Sequence, residues 1–211
     1  MKLSIERKCV IVPENVHAWE EICLATEEPE KNPEIAKICE EELSEKTVRV
    51  IFTNAFSPSM LTEKSVAVAF REVTLSEIYE LLNYCPNCIF ESAIGHESTA
   101  KLLSELLKVK VPVCRRSIQL TENTILVIVT VTERLPEGKV LSREELEQLL
   151  MQGKVRFYIA YVARGVVKTV LGTRAIARSE EVNRALLRTG ILTYYEYEKY
   201  YRYCTECSEE Y

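Results

Sequence analysis

The stretch IFESAIGHESTAKLLSELL, Ile89 to Leu107, changes its period halfway along. Its first residues make a short apolar run of strand character, broken by Gly95. From residue 97 to 108, Leu102, Leu103, Leu106 and Leu107 recur at the spacing of one helical face. A strand that turns at a glycine into an amphipathic helix is half of a βα unit. Upstream, VRVIFTNAF (Val48–Phe56) reads as a buried strand and SVAVAFREV (Ser65–Val73) as a second, alternating one. Thr74 caps a predicted helix, LSEIYELLNY, and Glu77 three residues on completes a capping box. Downstream, SIQL (Ser117–Leu120) and TILVIVTVT (Thr124–Thr132) read as two strands of a hairpin turned near Glu122-Asn123. Ser142, with Glu145, opens a helix over REELEQLLMQ that Gly153 stops, and VRFYIAYV (Val155–Val162) is a final strand. Strands mixed with covering helices predict an α/β or α+β fold, a mixed β-sheet flanked by helices.

Outside this unit the texture differs. Residues 1–46 read as an N-terminal extension: a weak strand ended by Pro13, then helices over 14–26 and 33–46 separated by EEPEKNP. His17 and Trp19 lie in the first of these and carry no assigned chemistry. A hairpin turn is expected at Arg164-Gly165, followed by a small C-terminal β-rich module over 164–211. There VVKTVLG reads as a short strand, SEEVNRALLRTG as a helix with a glycine stop, and ILTYYEYEKYYRYC as an aromatic strand pair. The chain thus divides into 1–46, 47–163 and 164–211.

With 211 residues and 47% apolar composition, the chain has enough material for a full core. A net charge of −5 argues against coating long nucleic acid, which needs surplus Lys and Arg to displace counterions. The N-terminal apolar run is too short for a signal peptide, and no stretch reaches the roughly 18 to 20 apolar residues of a membrane helix. A soluble, cytoplasmic protein without a membrane partner is expected. Only two histidines occur, far apart, and no HExxH, Walker or dinucleotide glycine pattern is found.

Ala93-Ile94-Gly95-His96-Glu97 places a glycine and a histidine where a helix begins. Glycine permits a sharp turn and close approach of a ligand, and the helix start offers free amides to a phosphate. His96 there is either a cap-side packing residue or a proton donor to a leaving oxygen.

Four ordered blocks sharpen that choice: NAFSPSML (54–61), SAIGHESTAKLLSELL (92–107), PVCRRSIQL (112–120) and ERLPEGKVLSREEL (133–146). Together, across roughly residues 48–162, they resemble a family of small archaeal-virus, plasmid and bacterial proteins that includes the type III anti-CRISPR ring nucleases. The resemblance implies a two-fold homodimer that binds cyclic tetra-adenylate across its interface and linearises it without a metal cofactor. It implies His96 and Glu137 as catalytic-site residues, and Ser57, Gly95, Arg115, Arg116 and Arg134 as substrate contacts. Cys114 departs from the asparagine that relatives often carry there. The implied chemistry is attack by a ribose 2′-hydroxyl on the adjacent phosphorus, giving a 2′,3′-cyclic phosphate. Other expectations compatible with the residues are a module that only sequesters the cyclic messenger and, against the acidic charge, a DNA-binding regulator.

Eight cysteines are many for a cytosolic chain. Cys85-Pro-Asn-Cys88 and Cys204-Thr-Glu-Cys207 together match the ligand count of a structural zinc site. Disulfides within or between the pairs, and free thiols, are the other readings. Cys9, Cys23, Cys39 and Cys114 read mostly as small apolar core residues. Finally, KTVLGTRAI with ILTYYEYEKYYRY faintly resembles a WYL-type small β-barrel, which would make Arg174 and the tyrosines a nucleotide sensor. A plain strand-helix-strand cap is the competing reading.

Overall fold

The computed structural model describes residues 9–11, 47–85, 87–132, 143–169 and 172–200. The expected helices of the extension, the tail pair Cys204 and Cys207, and the block holding Arg134 and Glu137 lie outside these residues. Apolar runs in the sequence become strands β1 (Val10–Ile11), β2 (Val48–Thr53), β3 (Val68–Val73), β4 (Cys88–Ser92), β5 (Thr124–Val131), β6 (Val155–Thr169) and β7 (Gly172–Ala177). They form one mixed sheet in the order β1-β4-β2-β5-β6-β3, with β7 paired to β6 beyond this path. Strands β4, β2 and β5 are parallel neighbours, while β1, β6, β3 and β7 each pair antiparallel.

The periodic segments form helices α1 (Leu75–Tyr84), α2 (Glu97–Leu107), α3 (Arg143–Met151) and α4 (Glu180–Arg188). The expected capping box at the start of α1 is present: the Glu77 amide donates to the Thr74 hydroxyl, and the Thr74 amide donates to the Glu77 carboxylate at 2.7 Å. Gly153 stops the turn after α3 with φ +63°, a conformation that glycine adopts without a Cβ penalty. The buried faces of all four helices share one core with Val50, Phe52, Val127, Phe157 and Ile159 of the sheet. The opposite face carries Ile51, Leu126, Ile128, Ala160 and Val162, and is covered by Phe56, Met60, Leu61, Val66, Ile118 and Leu120 from segments outside the α-helices. No helix among the described residues is long and apolar enough to cross a membrane.

Several local expectations are corrected. SIQL does not pair with TILVIVTV. The turn at Glu122-Asn123 exists, but Thr124–Val131 lies parallel to β2 and antiparallel to β6, inside the sheet. Ile118 and Leu120 spend their alternation on covering the sheet face, and Leu120 makes only a bridge to Leu61. The hairpin turn at Arg164-Gly165 is absent as well, since β6 runs straight through these residues with an irregularity between Ala163 and Gly165. Gly165 serves close approach instead: a Cβ there would lie 2.8 Å from the Tyr200 hydroxyl and 2.9 Å from its ring. VVKTVLG is accordingly split between the end of β6 and the start of β7.

The aromatic strand pair is a helix. Residues 194–200, here α5, are helical. Thr193 and Glu196 cap the start reciprocally, the Thr193 amide donating to the Glu196 carboxylate at 2.9 Å and the Glu196 amide donating to the Thr193 hydroxyl oxygen at 3.3 Å. Tyr197 and Tyr200, three residues apart, pack on the core, while Tyr194 and Tyr195 face solvent. The WYL-type barrel therefore loses the strand that carried its likeness. Buried Ile176, Val182, Leu186, Ile191 and Leu192 join the same core as β2 and β5, so residues 172–200 are packed onto the unit they follow.

Candidate functional site

The parallel strands β4, β2 and β5 end at one edge of the sheet, where α/β folds commonly place ligands. Three of the four quoted blocks begin at or just after these strand ends in the chain. After β2 the chain enters Asn54–Leu61; after β4 it passes Ala93, Ile94 and Gly95 to His96; after β5 it leaves at Thr132 toward the undescribed 133–142. The Ala93 amide donates to Phe52 O at 2.7 Å, carrying the β2–β4 ladder one step past the strand ends.

His96 is the N-cap residue of α2, with extended backbone (φ −113°, ψ 127°), and its imidazole makes no capping bond. The side chain is exposed, and the backbone carbonyl takes the first helical bond from Ala100. The packing reading of His96 is therefore not what the structure shows. A histidine at an N-cap leaves amides of the first turn open, which favours an anion beside it. Glu97, next along, is occupied with Lys101 at 2.7 Å, which holds its carboxyl below the ordinary range.

Gly95 brings in Arg115. A Cβ at Gly95 would sit 3.5 Å from Arg115 Cγ and 3.8 Å from its Cβ and Cδ, so the arginine stem lies across the glycine with its head exposed. Ser57 is the N-cap of a short 3₁₀ turn, Pro58–Met60, and its hydroxyl accepts from the Ser59 amide at 3.3 Å and pairs with the Ser59 hydroxyl at 2.9 Å. It is half-buried at the β2 exit, one strand away from the His96 turn. The structure thus lays the Arg115 stem against Gly95, the residue before His96, and sets Ser57 just beyond the neighbouring strand end.

Arg116 goes elsewhere. Its guanidinium pairs with Glu91, its side chain is 10% exposed, and Nε is buried without a partner. Glu91 on β4 is fully buried and also accepts from Arg49 Nε at 2.7 Å and Nη2 at 3.1 Å. Burial opposes ionisation of this carboxyl, but Arg49 and Arg116 outweigh it and hold Glu91 below the ordinary carboxylate range. The sequence carried a signal for this group: opposite charges, Arg49 and Glu91, inside strands that otherwise read as buried.

The cysteines are also rearranged. Cys9 and Cys114, expected as separate core residues, form a disulfide that ties β1 to the segment leading into Arg115. Cys85 and Cys88 form a second disulfide within their own pair, so among the described residues no cluster of metal-ligating side chains is present.

The profile of the family described as STIV B116-like matches residues 50–159. The uncharacterized protein ORF116 of Acidianus filamentous virus 1 (isolate United States/Yellowstone) is 35% identical over 109 residues, 52% of this chain and 91% of that protein. The uncharacterized protein 26 of Sulfolobus islandicus filamentous virus (isolate Iceland/Hveragerdi) is 40% identical over 87 residues, 41% of this chain and 71% of that one. Among solved structures, B116 of Sulfolobus turreted icosahedral virus is 32% identical, covering 54% of this chain and 98% of its own, with a TM-score of 0.47. None of these names states an activity.

Proposed function

The chain belongs to the STIV B116-like family, which has members in archaeal viruses, and from that premise we propose that it is a metal-independent ring nuclease acting on cyclic tetra-adenylate. The observation that carries this reading is the Arg115 stem lying against Gly95, next along the chain to the exposed His96. An exposed histidine at a helix start, following the glycine on which an exposed arginine packs, offers a proton donor and an anion clamp at the sheet edge that α/β folds use for ligands. The likeness of the four sequence blocks to ring nucleases supplies the substrate class.

In this scheme a ribose 2′-oxygen bonds to the adjacent phosphorus as the bond from phosphorus to the 5′-oxygen breaks. The 2′-hydroxyl proton passes to water, and protonated His96 gives its proton to the departing 5′-oxygen. The product is linear, with a 2′,3′-cyclic phosphate at one end and a 5′-hydroxyl at the other. Arg115 holds phosphate charge, and the open amides of α2 and the Ser57 hydroxyl orient the reacting unit. Arg134 and Glu137 complete the set on the strength of the resemblance alone. A homodimer would present two such sites to a symmetric ring. Such an enzyme would switch off type III CRISPR signalling.

Incubating the purified protein with cyclic tetra-adenylate and separating the products tests this directly. Linear products ending in a 2′,3′-cyclic phosphate are expected. Ring that is bound but never cut would make the protein a sequestering module, and ring that is neither bound nor cut would overturn the proposal.

A further inference from the structure

A fully buried carboxylate within an apolar strand persists only if it is paired, because removing its partners leaves an uncompensated charge in low dielectric. Glu91 sits between Phe90 and Ser92 on β4 and is paired twice, with Arg49 of β2 and with Arg116 of the irregular segment 111–119. The first pairing joins two strands that are already neighbours in the sheet. The second holds a segment that has no ladder of its own. Two neutral bonds hold the same segment to the β4 exit: the Ser92 hydroxyl donates to Pro112 O at 2.6 Å, and the Cys114 amide donates to Ile94 O at 2.8 Å. Between these anchors and Arg116 lies Arg115, whose stem rests on Gly95 beside His96.

We propose that Glu91 is a positioning residue, which through Arg116 fixes segment 112–116 so that Arg115 is presented next to Gly95 and His96. Its ionised form is what counts. Two guanidiniums share one carboxylate, so neutralising Glu91 leaves like charges facing each other and releases the one that is free to move, Arg116. The choice of ligand rests on the ring-nuclease reading; the anchoring does not.

Glu91→Gln, Arg116→Gln and the double variant test this in full-length protein, under reducing conditions so that the Cys9–Cys114 bridge does not hold the segment instead. Hydrogen exchange at the Cys114 amide is read without ligand, and affinity for cyclic tetra-adenylate is read on a His96→Ala background, where the ring stays intact. Each single variant is expected to speed Cys114 exchange and weaken affinity by about tenfold, the loss of one charged hydrogen bond. The double variant should be no worse than the worse single one. Leu186→Ala, in the helix-side core, serves as a comparison of similar stability loss and should move neither reading. Cys114 exchange no faster than in Leu186→Ala, or losses that multiply in the double variant, would overturn the proposal. Should Glu91→Gln fail to fold, Arg116→Gln removes the same anchor from the segment side, and unchanged exchange there overturns it equally. If the wild-type protein does not bind the ring, the function proposed above falls, while the exchange result still decides the anchoring alone.

Discussion

On one face of the sheet, helices lay regular apolar stripes over Val50, Phe52, Val127 and Phe157; on the other, two irregular segments set down single side chains such as Leu61, Ile118 and Leu120. The helix-covered face satisfies its backbone internally, so its packing needs only apolar surface of the right volume. The loop-covered face has to fasten its backbone piece by piece, with Ser92 to Pro112, Cys114 to Ile94 and Glu91 to Arg116. Those fastenings hold Arg115 at the β4 exit. Stability is thus concentrated on one side of the sheet, while the candidate chemistry depends on how the other side is pinned.

The sharpest test of this division is His96→Ala. The imidazole is exposed and makes no capping bond, so the melting temperature should hold. Turnover of cyclic tetra-adenylate should fall by about 100- to 10,000-fold, the usual worth of general acid catalysis, with ring binding retained. Near-normal turnover would remove His96 from its role.

Next in size is a pair of truncations, Leu103→Ala on the helix side and Leu120→Ala on the loop side, both residues being essentially fully buried. Leu103 is locked in a helix and should lose about 3–5 kcal/mol, because the cavity cannot collapse. The segment bearing Leu120 can shift inward, which should limit its loss to about 2–3 kcal/mol. Equal losses in denaturant melts would mean that the loop face is as rigid as the helical one.

Smaller again is the contrast between neighbouring arginines. Arg115→Ala should weaken ring binding by about 1.5–3 kcal/mol, a lost charged hydrogen bond, with little change in melting temperature. Arg116→Ala should lower the melting temperature as well, because Glu91 loses one of its two partners. A purely binding defect at Arg116 would break the distinction.

The least effect is a pH dependence. The Glu91 carboxyl titrates below its ordinary value in the folded chain. Its stabilising contribution is therefore complete above the unfolded-state value, about 4.3, and is lost as pH falls through the lower folded value. Glu91→Gln should flatten that part of the acid limb in thermal melts, and an unchanged limb would show that the pair contributes nothing through its charge.

Periodicity made α1, α2 and α4 legible, since a helix that buries one stripe must repeat it every three to four residues. The capping box at Thr74 and Glu77 was legible too, because it is local chemistry. SIQL misled for the opposite reason: alternation shows that one side of a segment is buried, but not whether the backbone finds a strand partner. ILTYYEYEKYYRYC misled because tyrosine favours strands only weakly, and the reciprocal cap of Thr193 and Glu196 decided for a helix. At the candidate site, the glycine-histidine turn at a helix start could be read directly. The separate fate of Arg116 could not.

By itself the sequence determined the mixed sheet, most of the helices and the placing of His96 at a strand-to-helix turn, all of them consequences of spacing along the chain. Only the tertiary structure decided that Arg115 lies over Gly95, that Arg116 turns inward to Glu91 and that Cys9 meets Cys114. Those pairings join residues separated by 20, 25 and 105 positions respectively. Contacts of that span follow from strand order, and strand order is set by how the whole core packs rather than by any local pattern.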